Sequence, residues 1–363
     1  MATASLSALV IATGSGATMR SERPKSIHLL CGRPMLSYVL DGLKGAGVDQ
    51  AVVVTGQSGD WVSKRILEDP PPFGLQFVEQ RFDRGSGDAA LIGLTGFDDF
   101  DDDGDLIVMT ADVPLVEAES LIHLVGVHRE RQAACTVLAA VVDDPSGSDR
   151  IVRDRHGEVA SIVRSDDLVG AELALPEVPL GVYCIRRGLL APAVRRTAPD
   201  RSTGANMLAD VVGVLAESGH LAATALVPAS ADLQPVDTRL ELAEAEAELR
   251  RRTNRNWLEA GVTMLDPDHT YIDATVVLGT DVTLFPGTIL QGNTVIGDGC
   301  EIGPDTRLDR CTIGRETVIE KTMARLATIG DHCRVGPFAV VEPGAEISDG
   351  TVTGAFYAAL GDE

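Results

Sequence analysis

The chain is 363 residues long, with a formal net charge of −23, 44% hydrophobic and 23% charged residues. That length suits about two domains, the composition suits packed cores rather than a disordered or collagen-like chain, and the acidity excludes the clustered basic surface that nucleic-acid binding needs. Six cysteines (Cys31, Cys135, Cys184, Cys300, Cys311, Cys333) stand without any CxxC pair, which suggests neither a zinc site nor a disulfide framework and fits a reducing cytoplasm.

In chain order, "LSALVIAT" (6–13) reads as a first β-strand: no positively charged segment of an export signal precedes it, and nowhere does the chain reach the roughly 18 consecutive apolar residues of a membrane span. The glycine-rich stretch "GSGATMRSERPK" (14–25) follows almost at once. Then "MLSYVLDGLKGAG" carries a helical pattern, "QAVVVTG" a strand, "WVSKRILED" a helix and "LQFVEQ" a strand. This alternation predicts a mostly parallel α/β sheet with helices on both faces, running to about residue 230. A second small-residue loop, "EQRFDRGSGDAA" (79–90), comes next. The block "DDFDDDGD" (98–105) reads as a solvated loop, with a cation site as the alternative. The strand "DLIVMTAD" ends in Asp112. Ligands of such sheets sit at the carboxyl ends of the strands, where strand order reverses, and both the first loop and Asp112 are placed there.

Residues 236–260 hold the strongest helical pattern, rich in Ala, Glu, Leu and Arg with no Gly or Pro until Gly261. Beyond it the period changes to six. Ile272, Leu278, Leu284, Leu290, Ile296, Ile302 and Leu308 recur without a slip, and after an interruption Ile329, Val335, Val341 and Ile347 resume the spacing. A small or β-branched residue stands two positions before several of them (Val276, Val282, Thr288, Thr294, Cys300, Thr306). Hexads of this kind predict a parallel β-helix, one flat side per hexad.

Several residues are suited to chemistry. The first loop is neither GxGxxG nor GxxxxGK[ST]; it is compatible with an ordinary tight turn, and equally with backbone N–H groups that approach anionic oxygens beside Arg20, Arg23 and Lys25. Lys25 is one of only four lysines (Lys25, Lys44, Lys64, Lys321) among 31 basic residues. Asp112 and Asp237 are hard carboxylates of the sort magnesium uses with substrate phosphates, and each also suits a strand end or helix cap. Gln80, with Gly85, Ser86 and Gly87 nearby, can complement a nucleobase edge or sit in a surface turn.

The stretches "IATGSGATMRSERPK", "EQRFDRGSGDA", "TADVPLV", "DDPSGSDRIVRDRHGEVASIV", "VPLGVY", "VDTRLEL" and "AGVTMLDP", followed by the hexads, resemble the bacterial bifunctional N-acetylglucosamine-1-phosphate uridylyltransferase/glucosamine-1-phosphate acetyltransferase family over nearly the whole chain. The resemblance implies a Rossmann-like nucleotidyltransferase domain (1–232), a connector helix (233–262) and a left-handed parallel β-helix of hexapeptide repeats (263–363). It implies that Ala12, Gly14, Ser15, Gly16 and Lys25 hold the nucleotide, that Gln80, Gly85 and Ser86 read the base, and that Asp112 and Asp237 hold Mg²⁺, the family having an asparagine where Asp237 stands. The implied reaction is attack of a sugar 1-phosphate on the α-phosphorus of a nucleoside triphosphate, with pyrophosphate leaving.

The departures are as informative. Thr18 stands where the family has an arginine that holds the leaving phosphates, and Arg20 is the candidate substitute. On the sugar side Asp149 replaces a glycine, Arg164 a glutamate and Pro179 an asparagine, and only Glu177 matches. These changes imply an acceptor other than N-acetylglucosamine 1-phosphate. UTP is the favoured donor; a purine triphosphate with a cyclitol or unusual sugar phosphate is the alternative, and a non-catalytic nucleotide sensor or scaffold is a further one. The family's acetyl-transfer residues lie beyond the position matching Glu363, and His332 reads as an outward turn residue, so no acetyl transfer is expected. A homo-oligomer, possibly a trimer, is expected from the β-helix.

Overall fold

The structure, a computed structural model, describes residues 5–97, 104–200, 204–228 and 235–361. Contacts divide the chain into two compact units, Met1–His28 with Pro34–Glu241 and Leu29–Arg33 with Leu242–Glu363. The boundary expected at residues 232–233 and most of the acidic block at 98–105 lie outside the described residues.

The first unit is built on a seven-stranded sheet of β1 (Leu6–Ala12), β2 (Gln50–Thr55), β3 (Gly74–Glu79), β4 (Asp105–Thr110), β5 (Cys135–Val141), β6 (Glu177–Arg186) and β7 (Ala222–Val227). Their spatial order is β7-β5-β6-β4-β1-β2-β3. All neighbours are parallel except around β6, which runs antiparallel to both β4 and β5. Helices cover both faces, which is why β1 is buried at every residue and reads as an unbroken apolar run. Ala8, Val10 and Ala12 pack with α1 (Met35–Gly45), α2 (Gly59–Ile66) and α4 (Ala118–Glu130). Leu9 and Ile11 face α3 (Ser86–Leu94), α5 (Arg187–Val194) and α6 (Asp210–Glu217). Asp105, the last acid of the acidic block, is buried in β4 and accepts a 2.6 Å bond from Arg129 Nε.

The chain passes from β1 outward to β2 and β3, then returns to the other side of β1 as β4. Strand order therefore reverses between β1 and β4, and the loop after β1 and Asp112 after β4 meet at that crevice. The helix α7 (Arg239–Glu259) follows. It starts on a reciprocal cap: Thr238 Oγ1 accepts from Glu241 N–H (3.3 Å), and Glu241 Oε2 accepts from the N–H groups of Thr238 and Asp237 (2.7 Å each).

The second unit is a three-sided parallel β-helix, with sheets of five, six and five short strands, the architecture of left-handed hexapeptide-repeat proteins. Each coil places one aliphatic side chain per flat side inward, and all the predicted hexad positions are buried. The sequence pattern suggested an interruption after Leu308; the coil instead continues without a break through Ile313, Ile319 and Ala324, all buried. Strand partners are 18 residues apart at Tyr271 and Ile289, 17 at Glu301 and Val318, and 16 at Arg307 and Met323. Corners have lost residues while the strands stayed in register, and Arg310, Glu316, Lys321 and Leu326 turn there with positive φ. The threonines two positions before inward side chains (Thr288, Thr294, Thr306, Thr322) are fully buried, and their hydroxyls donate to corner carbonyls, as in Thr294 to Gln291 O (2.7 Å).

Candidate active site

The loop after β1 is folded by its own backbone. Gly16 has φ +78°, and its carbonyl accepts from Met19 and Ser21 N–H. A Cβ there would lie 2.1 Å from the Arg23 carbonyl oxygen, so only glycine fits. Lys25 N–H returns to Gly14 O (3.1 Å), and a Cβ on Gly14 would sit 3.2 Å from Lys25 Cε. Gly14 thus clears the path along which the lysine stem crosses the loop.

This loop walls a cavity of about 480 Å³ together with the turn after β2 (Gly56, Gln57, Ser58) and the turn after β3 (Gln80, Arg81, Asp83). Of the expected nucleotide residues, Ala12, Gly14, Ser15, Gly16, Lys25 and Gln80 line it, as do Thr18 and Asp237. Lys25 Nζ bridges Asp112 Oδ2 and Asp237 Oδ1, at 2.5 Å from each. Burial of Lys25 disfavours its charge, but Asp112 and then Asp237 more than offset this and raise its pKa above the ordinary lysine value. The ammonium therefore stays charged through the neutral range. Asp112 is held further by Thr110, whose hydroxyl donates to Oδ1, and Val236 N–H donates to the Asp112 carbonyl (2.7 Å). That last bond carries Asp237 across to Asp112, although they are far apart in the chain.

Gln80 is 3% exposed, and its amide nitrogen donates to Asp88 Oδ2 (2.9 Å) and Gly85 O (3.3 Å). Both donors being engaged, its carbonyl oxygen is the group left to meet a ligand. Gly85 and Ser86 do not line the cavity. Gly85 N–H donates to Asp83 Oδ1 (3.0 Å), and Ser86 Oγ at the start of α3 accepts from Leu208 N–H (3.0 Å), so both act in fastening α3. Arg20 is exposed with φ +50° and is not part of the cavity wall. Arg81 is, and sequence reasoning passed over it. Its signal was its place directly after Gln80 at the end of a sheet strand.

The expected sugar-side residues lie apart from this cavity wall and are already engaged. Asp149 Oδ1 accepts from Ser165 N–H (3.0 Å). Arg164 lies between Asp167 (2.8 Å) and Asp200 (2.5 Å). Glu177 takes a forked pair of bonds from Arg153 (2.9 and 2.6 Å). Pro179 lies in β6 opposite Ala139, beside an irregularity in the pairing with β5. Burial raises the Asp210 carboxyl; Arg164 opposes the shift, and Asp200, Asp167 and Asp149 add to it.

Two convergent carboxylates beside this cavity form a donor set that suits Mg²⁺, which commonly takes one or two carboxylates and completes its shell with substrate phosphates and water. Among the described residues no group of three or more His, Cys, Asp or Glu gathers as a metal cage, and no helix is long and apolar enough to cross a membrane.

Comparison with known proteins gives the family. The MobA-like NTP transferase domain family matches residues 8–260. The bifunctional protein GlmU of Heliobacterium modesticaldum is 35% identical, over 96% of this chain and 75% of that protein. Those of Geobacillus sp. (34%; 96% and 74%) and Cutibacterium acnes (35%; 96% and 84%) are similar to the same extent. With its nucleotidyltransferase domain followed by a parallel β-helix, the chain belongs to the GlmU-like family of sugar-1-phosphate nucleotidyltransferases.

Proposed function

We propose that this protein joins a sugar or sugar-like 1-phosphate to a nucleoside monophosphate drawn from a nucleoside triphosphate, in the presence of Mg²⁺. The observation that carries the reading is Lys25, held between Asp112 and Asp237 at the wall of a cavity lined by glycine-rich backbone. A phosphate oxygen of the acceptor attacks the α-phosphorus, the bond from that phosphorus to the bridging oxygen breaks, and pyrophosphate leaves. The nucleophile is already an anion, so no general base is required, and the work of the site is positioning and charge stabilisation. Mg²⁺ held by Asp112 and Asp237 would neutralise charge on the phosphates. The loop backbone and Lys25 supply the remaining donors, and Arg81, at the cavity wall 3.8 Å from Glu79, is the cation we assign to the phosphates in place of Arg20.

UTP is the donor we favour, since the Gln80 carbonyl oxygen suits the imino N–H of a pyrimidine such as uracil; a purine triphosphate is the competing donor. Glu177 and Arg164 are bound by Arg153 and by Asp167 and Asp200, which supports an acceptor other than N-acetylglucosamine 1-phosphate, such as an unusual sugar or cyclitol phosphate. We assign no acetyl-transfer role to His332, whose exposed side chain stands at a coil corner (φ +56°) with Nδ1 3.2 Å from Glu316.

The test is pyrophosphate release over a panel of triphosphates and sugar 1-phosphates, with Asp112→Asn as the control. We expect turnover with at least one pair and a loss of at least ~10²-fold in the variant, the scale of one electrostatic contact in a transition state. No turnover with any pair, combined with Mg²⁺-dependent nucleotide binding by calorimetry, would favour the non-catalytic sensor that exposed Thr18 in the cavity wall suggests.

A further inference from the structure

We infer that Lys25 occupies the cation position of the nucleotide-free protein, and that the divalent metal enters together with the triphosphate rather than before it. This deepens the reading above and rests on it. The ammonium nitrogen is 2.5 Å from Asp112 Oδ2 and 2.5 Å from Asp237 Oδ1. A magnesium ion needs oxygen contacts of ~2.0–2.1 Å. An ion of that kind on these oxygens and the ammonium group where it stands exclude each other, sterically and by charge.

An ion that uses both carboxylates takes the place between them, so the partner that has to move is Lys25. The backbone of Asp237 is anchored by its N–H bond to Glu241 (2.7 Å) and by the bond of the preceding Val236 N–H to the Asp112 carbonyl (2.7 Å), while its side chain is half exposed. Asp112 is braced by Thr110. The Lys25 backbone is fastened, its N–H to Gly14 O and its carbonyl to His28 N–H, while its four-carbon stem crosses a glycine and borders the cavity, and its ammonium group is held by the two carboxylates. Moving alone, Lys25 would leave two carboxylates for water. Moving toward a triphosphate, it exchanges carboxylate oxygens for phosphate oxygens, and the carboxylates exchange an ammonium for a divalent ion. The metal and the nucleotide therefore favour each other's binding, and the coupling is reciprocal.

The readout is Mn²⁺ binding followed by the electron paramagnetic resonance signal of the free ion, so it does not depend on turnover. For the unaltered protein we expect Mn²⁺ affinity to rise at least tenfold when a non-cleavable α,β-methylene triphosphate is present, beyond the binding of Mn²⁺ to the analogue alone. Lys25→Met should bind Mn²⁺ at least tenfold more tightly than the unaltered protein without the analogue. Lys25→Arg, which keeps a cation able to span both carboxylates, should keep the low affinity. Equal Mn²⁺ affinity in the unaltered protein and Lys25→Met, or an affinity in the unaltered protein that the analogue does not change, would overturn the inference. The second comparison needs no variant, so it stands even where Lys25→Met fails to fold. Pyrophosphate release measured beside it separates the two claims: turnover with unchanged Mn²⁺ affinity removes the lysine exchange and leaves the transferase reading.

Discussion

Replacing Gly16 by alanine tests whether the loop after β1 is the nucleotide grip. At φ +78° an alanine incurs the left-handed penalty of ~1–2 kcal/mol. Its Cβ would also lie 2.1 Å from the Arg23 carbonyl oxygen and 3.1 Å from that of Ser21. Both are backbone atoms, so no side-chain rotation relieves the contact, and the segment leading into Lys25 has to shift. The conformational penalty alone, at its upper end, takes ~2 kcal/mol from the grip, or roughly a factor of 30 in the population of the binding-competent loop. Gly126 supplies the control: it lies inside α4, exposed, with nothing within 4 Å of an added Cβ, and alanine there should add up to ~1 kcal/mol of stability. The assay is calorimetric titration with a non-cleavable triphosphate analogue and Mg²⁺, with thermal unfolding in parallel. We expect at least ~10-fold weaker binding for Gly16→Ala and unchanged binding for Gly126→Ala. Equal affinity of Gly16→Ala and the unaltered protein would refute the assignment of the loop.

Two further outcomes are expected. Arg81→Ala should weaken triphosphate binding about 10-fold, the scale of one charge-assisted bond, whereas Arg20→Ala should change it less than about twofold; the same titration decides, and the reverse order would restore Arg20 to the site. His28 is buried, and burial first, then the charges of Arg239 and Arg23, hold its pKa below 6.5. The unfolded chain therefore binds a proton there that the folded chain refuses, so the His28 contribution to stability is complete above about pH 6.5 and is lost as pH falls through that value toward the folded pKa. Thermal unfolding of the unaltered protein should drop more between pH 8 and pH 5.5 than that of His28→Gln; parallel curves would show that His28 is not the group responsible.

The two architectures were legible in the sequence for different reasons. A buried parallel strand has nothing to gain from a polar face, so β1 is written as one apolar run; a β-helix coil repeats its inward aliphatic every hexad, so the period itself is the fold. What escaped was the shortening of coils after Leu308. Ile313 and Ala324 each follow their predecessors by five residues, and a corner trimmed by one residue breaks a period without breaking a strand ladder. The site was legible where it rests on backbone: Gly14, Gly16 and Lys25 belong to a stretch whose resemblance to the family implied a nucleotide loop, and they line the cavity. It was not legible where side-chain direction decides. Arg20 adopts φ +50°, a conformation that no non-glycine pattern announces, and it is not part of the wall that Arg81 joins. Likewise Glu177 matched its family position, yet its pairing with Arg153 depends on strands brought together only by folding.

The most direct test follows two phosphorus atoms. With a triphosphate labelled at the α and γ positions, a sugar 1-phosphate that supports turnover, and Mg²⁺, the account predicts the α-label in a nucleoside diphosphate–sugar and the γ-label in pyrophosphate, in equal amounts. A γ-label appearing first as orthophosphate, or an α-label left in free nucleotide, would contradict attack at the α-phosphorus.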